Sequence, residues 1–132
     1  MTFKVLRGGL RVSINSTTTA AFVPGQMAKL DASDNVALCD NVTLPIGVFF
    51  DDSATEVSVL PIDKATVVMG DFEGETNQWV SGIAYSDKLA SSTGGKFQTA
   101  VSGDRAIAIA LNTPSATKDL HFVWFGGVTL IV

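Results

Sequence analysis

Apolar and polar positions in this chain alternate in short blocks, and no block longer than ten residues sustains the i, i+3, i+4 apolar spacing of a helix. The clearest block is LPIGVFFDDSATEVSVL, Leu44–Leu60: an apolar run, Ile46–Phe50, a polar break at Asp51-Asp52-Ser53, and an alternating run, Val57–Leu60, closed by Pro61. Run, break and run are the sequence form of two strands joined by a short connection. The same form returns as Ala106–Leu111 (AIAIAL), a break at Asn112-Thr113-Pro114, and Leu120–Phe125 (LHFVWF). Between these, the pattern predicts strands at Met27–Leu30, Val36–Cys39, Thr43–Phe50, Ala65–Met69, Gln78–Ala84 and Lys96–Val101. Val23-Pro24-Gly25, Asp31–Asn35, Gly70–Asn77 and Ser91–Gly95 read as turns or loops, because Pro, Gly, Asn and Asp supply the dihedrals that turns demand. Tyr85–Ala90 reads as a strand end or one helical turn, and Gly126-Gly127 as an interruption before a last apolar segment, Val128–Val132. Turn signals this closely spaced imply an all-β fold, a small β-barrel or β-sandwich of short antiparallel strands.

Two larger divisions follow. Met1–Thr19 stands apart: apolar Phe3, Val5 and Leu6 interleave with Lys4 and Arg7, Gly8-Gly9 loosens the chain, and Leu10–Ile14 alternates. This segment is either an extended N-terminal arm or the first strand of the domain. Residues 20–132 then form a single β domain with the marks of two repeated halves. The first copy would run through Gly25–Leu30, Val36–Leu38, Ile46–Phe50 and Val57–Leu60. The second would run through Gly82–Leu89, Phe97–Val101, Ala106–Leu111 and Leu120–Phe125.

At 132 residues the chain is long enough for one domain with a real core. Only 17% of residues are charged, which leaves surface to hide against partners, and the net charge of −4 argues against a nucleic-acid partner. Cys39 is the lone cysteine, so no disulfide can form within the chain and a reducing site of synthesis is expected. Met1–Leu10 lacks the apolar core of a signal peptide, and the longest apolar run, Ala106–Leu111, is six residues. A membrane helix needs about 18, so no membrane partner is expected.

Candidate chemistry is sparse. His121 is the single histidine, and Asp119 or Asp104 could stand beside it, but no G-x-S-x-G elbow accompanies them. Asp51 and Asp52 are adjacent, so as strand-end residues they point to opposite sides. Asp31/Asp34/Asn35 and Asp71/Glu73/Glu75 offer oxygens without the twelve-residue calcium-loop pattern. The glycine pairs match no phosphate-binding motif. The reading is therefore a non-enzyme without cofactor or metal. The aromatic residues carry more. In LHFVWF, Leu120, Phe122 and Trp124 share one face and His121, Val123 and Phe125 the other, so both faces carry apolar bulk. Such a strand is covered on both sides or lies at a subunit interface.

The early turn Val23-Pro24-Gly25, the strand Ile46-Gly47-Val48 with its acidic turn Asp51-Asp52, the strand Val57–Leu60 and the echo Ala106–Leu111 resemble small bacteriophage capsid decoration (cement) proteins. The likeness covers roughly Val23–Leu111; Phe49-Phe50 is bulkier than the family's usual small residues, and AIAIAL lacks its glycine. The resemblance implies a virion structural protein on the outer capsid surface, made in the host cytoplasm, often a homotrimer. Its partners would be the major capsid protein, whose neighbouring subunits it bridges, and itself. Residues expected at a capsid or subunit interface are Phe3, Val5, Leu6, Arg7, Arg11, Trp79, Phe122, Trp124 and Phe125. The alternative is a head-fibre or tail module that binds receptor or glycan, stacking sugar on Trp79 or Tyr85.

Overall fold

A sheet whose strands are mostly three or four residues long needs a longer strand to align them, and here two 13-residue strands do so. The computed structural model describes residues 3–15, 22–50 and 64–130. Its strands are β1 (Phe3–Asn15), β2 (Met27–Leu30), β3 (Val36–Leu38), β4 (Gly47–Phe49), β5 (Lys64–Thr76), β6 (Lys88–Ser91), β7 (Phe97–Thr99), β8 (Arg105–Ala110) and β9 (Leu120–Leu130). No helix occurs among the described residues, every pairing between these strands is antiparallel, and the sheet curls into a half-barrel. The all-β expectation holds.

Several local expectations do not. Gly70–Asn77 is not a loop: β5 continues to Thr76, because Gly70 turns the chain at φ +80° and the acidic residues beyond it find partners on both neighbouring strands. Gln78–Ala84 is not a strand; its only ladder contact is a single bridge from Trp79 to Phe97, and Ser81-Gly82 turn the chain. Tyr85-Ser86 form a turn that leads into β6 rather than a helical turn. Gly126-Gly127 do not interrupt β9, whose register to β8 shifts around them. Of the two placements open for Met1–Thr19, Phe3–Asn15 takes the strand, paired to β5 along its whole length, and no arm leaves the domain among the described residues.

The strand order is β3-β2-β4-β5-β9-β8-β6-β7, with β1 on the far edge of β5. It reads the same from either end when β2, β3, β4 and β5 are matched to β6, β7, β8 and β9. The match is residue by residue. Ala28 pairs Leu38 as Leu89 pairs Thr99, and Met27 pairs Val48 as Lys88 pairs Ile109, each counterpart 61 positions on. The tips match as well: Asp34 N–H donates to the Asp31 carbonyl and Asn35 N–H to its carboxylate, as Gly95 N–H donates to the Ser92 carbonyl and Lys96 N–H to its hydroxyl. Asp34 (φ +61°) and Gly95 (φ +75°) take the same left-handed backbone there. The fourth strand of the first copy is β5; Val57–Leu60, expected in that place, lies outside the described residues.

Two apolar clusters hold this together. The larger gathers Phe3, Met27, Val48, Val68, Phe72, Leu89, Phe97, Ile107, Leu120, Phe122 and Trp124, among others. At its centre Phe122 lies 4.5 Å from Phe97 and 5.7 Å, edge-on, from Phe72. The smaller contains Phe22, Ala28, Val36, Phe49, Ala65 and Val67, with Phe22 and Phe49 stacked at 3.9 Å. Val67 and Val68 point into different clusters, so this part of β5 is covered on both faces. Truncating Phe122 to alanine should cost about 3–5 kcal/mol of unfolding free energy. Phe125→Ala, on the half-exposed face of the same strand, should cost far less. Urea denaturation of the two variants measures the difference.

Candidate interaction surface

The described surface has one long open edge, and it belongs to β1. β1 pairs β5 on one side, and its other edge pairs no described residue. Along it Leu6 is 42% and Leu10 66% exposed, the second a large exposure for an apolar side chain within a strand. β1 bends at Gly8-Gly9, both in the left-handed backbone region (φ +75° and +79°). A side chain at Gly8 would meet the Asp71 carbonyl oxygen at 2.7 Å, so glycine is required on steric grounds as well.

Charge on this surface runs in a ladder across three strands. Lys4 faces Glu75 and Arg7 faces Glu73 across the β1–β5 pair. Arg7 Nε donates to Glu73 Oε1 at 2.9 Å, and His121 Nε2 of β9 lies 2.5 Å from Glu73 Oε2. The hydrogen bond to His121 first, and then Arg7, hold the Glu73 carboxyl below its usual range. Arg11 takes a different partner, its guanidinium 4.1 Å above the Phe50 ring, a cation–π contact. Arg7 and Arg11 are thus tied to the domain, whereas Leu6 and Leu10 stand as large apolar groups exposed on β1.

The expected interface residues separate into two sets. Leu6, Arg7, Arg11 and Phe125 are on the surface, and Val5 is half-buried. Phe3 (9% exposed), Phe122 (0%) and Trp124 (3%) are core residues, so their side chains cannot meet a partner without unfolding the sheet. Their face of β9 turns into the half-barrel, and a strand pattern alone does not reveal which of two apolar faces is enclosed. Trp79 packs half-buried against the same core, whereas Tyr85 is 65% exposed. Leu10 was not among the expected residues. Its signal was the apolar position just past Gly8-Gly9, where β5 has Phe72 just past Gly70 and Asp71.

An open groove of about 440 Å³ is lined by residues 40–45 and 102–105 with Ala90 and Ser91. Its Asp40 carboxylate is already engaged: Lys29 Nζ donates to it at 2.8 Å, and the backbone N–H groups of Val42 and Thr43 donate at 3.0 and 2.7 Å. Lys29 is the main cause holding the Asp40 carboxyl well below the usual carboxylate range. Asp31 is engaged likewise, accepting from Ser33 and Asn35 N–H, so the expected oxygen cluster there is a turn device. Burial pushes the Cys39 thiol up, away from the reactive thiolate. Among the described residues, no group of three His, Cys, Asp or Glu side chains is placed to hold a metal ion.

No protein-family model matches the chain, and no curated protein is similar to it in sequence.

Glu73 and Asp40 are both held below their ordinary values of 4.5 and 3.8 in the folded state. A depressed carboxyl contributes stability above its unfolded pKa and loses it as pH falls through the folded one. Acidification from about pH 7 to about pH 3 should therefore lower the urea midpoint. In a Glu73→Gln, Asp40→Asn variant, less stable at neutral pH, that acid loss should be smaller. Paired urea titrations of the two proteins check both statements.

Proposed function

We propose that this chain is a structural protein of a virus particle, a capsid decoration protein of bacteriophage type. It would bind the outer surface of the shell as a homotrimer and bridge neighbouring major capsid protein subunits. The observation that carries this reading is the β1 edge: a 13-residue strand whose outer edge pairs no described residue, with Leu6 and Leu10 exposed. An open edge of that length suits strand addition, in which main-chain hydrogen bonds give affinity and alternate side chains give specificity. The family resemblance of the strand pattern between Val23 and Leu111 supports the same reading.

The mechanism is mass action. A protein that binds the assembled shell and not its free subunits stabilises the shell by that binding free energy. Repetition over a symmetric surface multiplies modest contacts into a large total. A rigid, aromatic-rich half-barrel serves such a role, since a clamp that deformed easily would transmit little of its binding energy. The rival reading, a receptor- or glycan-binding module, rests mainly on Tyr85, which is 65% exposed, whereas Trp79 is half-buried and packed against the core.

The test must spare the fold. Removing residues 1–9 would strip Phe3, which packs against Phe50, Phe72 and Phe122, so truncation would confound binding with unfolding. Leu6→Asp with Leu10→Asp alters exposed positions. This double variant should keep its β-sheet circular dichroism and lose binding to particles stripped of the protein. Binding undiminished from that of the parent chain would refute the role given to this edge. Quantitative mass spectrometry of purified particles should find a copy number near that of the shell protein; a many-fold lower count would point to a fibre or tail component.

A further inference from the structure

The two matched halves of the sheet stack head to tail, and the residues of each apolar cluster show it. Val48 pairs Val68 as Ile109 pairs Val123, and Phe49 pairs Val67 as Ala110 pairs Phe122, so β5 is matched to β9 residue by residue as well. The smaller cluster, with Phe22, Ala28, Val36, Phe49 and Val67, is one face of the first half, here its front. Their counterparts Ile83, Leu89, Phe97, Ala110 and Phe122 are the front of the second half and lie in the larger cluster. There they meet Met27, Cys39, Val48 and Val68, which are the back of the first half. The front of the second half therefore packs on the back of the first.

Such a stack leaves one back and one front without a counterpart. On the back of the second half Lys88 is exposed and Ala100, Ile109 and Val123 are partly exposed, whereas the matching Met27, Cys39, Val48 and Val68 are at most 1% exposed. On the front of the first half Ile46 and Met69 are partly exposed, whereas the matching Ile107 and Trp124 are 2% and 3% exposed. Leu10 faces Met69 as Phe72 faces Trp124, yet Leu10 is 66% exposed and Phe72 3%. The centre of this front is closed already, with Phe22, Val36 and Phe49 at most 1% exposed, so its open parts are the rim and the β2–β3 tip.

Within the chain the stack is pinned by the β6–β7 tip. It lies against β2, where Met27 N–H donates to the carbonyl of buried Gly95 at 2.7 Å. The counterparts of that donor and acceptor are Lys88 N–H and the carbonyl of Asp34. Ala110 N–H donates to the Asp87 carbonyl, so the next pair, Lys88 and Ile109, is a non-hydrogen-bonded one and Lys88 N–H points away from β8. Among the described residues it donates to none, and the Asp34 carbonyl accepts from none. Both residues are exposed, and Asp34 keeps the left-handed backbone of Gly95 (φ +61° and +75°). The side chains around them differ in the way a contact between copies needs. A Cβ at Gly95 would stand 2.8 Å from Leu38 Cδ1, whereas the matching neighbour in the second half is the shorter Thr99, which leaves room for the Cβ of Asp34. In place of uncharged Met27 and Gly95, Lys88 and Asp34 carry opposite charges.

We infer that a second copy of this chain continues the stack: the β2–β3 tip of one copy docks on β6 of the next, with Asp34 against Lys88. The register is that of the internal pair, so Lys88 N–H donates to the Asp34 carbonyl. The same placement turns the rim of Leu10, Ile46 and Met69 toward Ile109 and Val123 of the neighbour. The contact has a different surface on each side, so repetition closes a ring or extends a filament according to the rotation between copies. This deepens the self-association in the reading above and rests on that part of it. Asp34 and Lys88 lie outside β1 and the test uses no particles, so assembly in solution without shell binding would uphold this contact and refute the shell role alone.

Two single variants, Asp34→Cys and Lys88→Cys, are purified, mixed and oxidised, and the products are mapped by mass spectrometry. Cys39 is buried and serves as the internal control. The expected product links position 34 of one copy to position 88 of another, at least tenfold above either homotypic link. Dominant homotypic links would overturn the proposal. Sedimentation equilibrium gives a second measurement that needs no cysteine. The parent chain should assemble as its concentration rises, and Lys88→Glu, which sets like charges together, should weaken that assembly by about tenfold or more. Asp34→Asn, which removes the charge and tolerates the left-handed backbone, should weaken it less. A parent chain that sediments as a monomer at every concentration would overturn the proposal, and so would a Lys88→Glu chain that assembles as the parent does.

Discussion

A β-strand in a sheet interior must satisfy its backbone donors and acceptors on both edges, and β5 meets this demand over 13 residues with three different partners. On one edge β1 accompanies it throughout. On the other, β4 serves the residues before Gly70 and β9 those after it. The change of partner is possible because the chain bends at Gly70 and β1 bends with it at Gly8-Gly9. Unpaired buried N–H and C=O groups each cost about 1–3 kcal/mol. A straight β5 would leave several of them without partners on one side or the other. The two halves of the half-barrel are thus joined through one backbone, and the aromatic core around Phe122 fills the space that the bend encloses.

This arrangement explains why the sequence was legible in some places and opaque in others. Short strands bounded by Pro, Gly, Asn and Asp were readable, because turn chemistry is local: Met27–Leu30 and Phe97–Thr99 fall where pattern and turn signals put them. The second half of β5 was not. GDFEGET has the composition of a loop, and it is a strand because Glu73 and Glu75 face Arg7, Lys4 and His121 on neighbouring strands distant in sequence. Trp79 erred in the opposite direction, since an apolar run became a single bridge where Ser81-Gly82 turned the chain.

The duplication was hinted at by pattern and hidden by identity. Over Phe22–Phe50 against Ile83–Leu111, only Ile46 and Ile107 are the same residue. What is kept is physical. A side-chain oxygen at Gln26 and at Asp87 accepts the N–H three residues earlier, from Val23 and Ala84. A left-handed residue stands at Gly25 (φ +96°) and at Ser86 (φ +72°). A buried apolar group stands at Ala28 and Leu89, and at Val36 and Phe97. The surface was half legible: Leu6, Arg7 and Arg11 carried mixed apolar and basic character that read as an interface, whereas Phe122 and Trp124 read the same way and proved to be core.

β1 is a built-in strand of the domain, one edge satisfied by β5 and the other pairing no described residue. Residue-resolved amide hydrogen exchange on the dilute, unassembled chain tests it most directly. Along Phe3–Asn15, exchange should alternate: amides that donate to β5 exchange slowly, and those between them, which face outward, exchange fast. Uniformly slow exchange would mean that the outer edge is already covered, and uniformly fast exchange would mean that β1 is not part of the sheet. Either result would overturn this placement of β1.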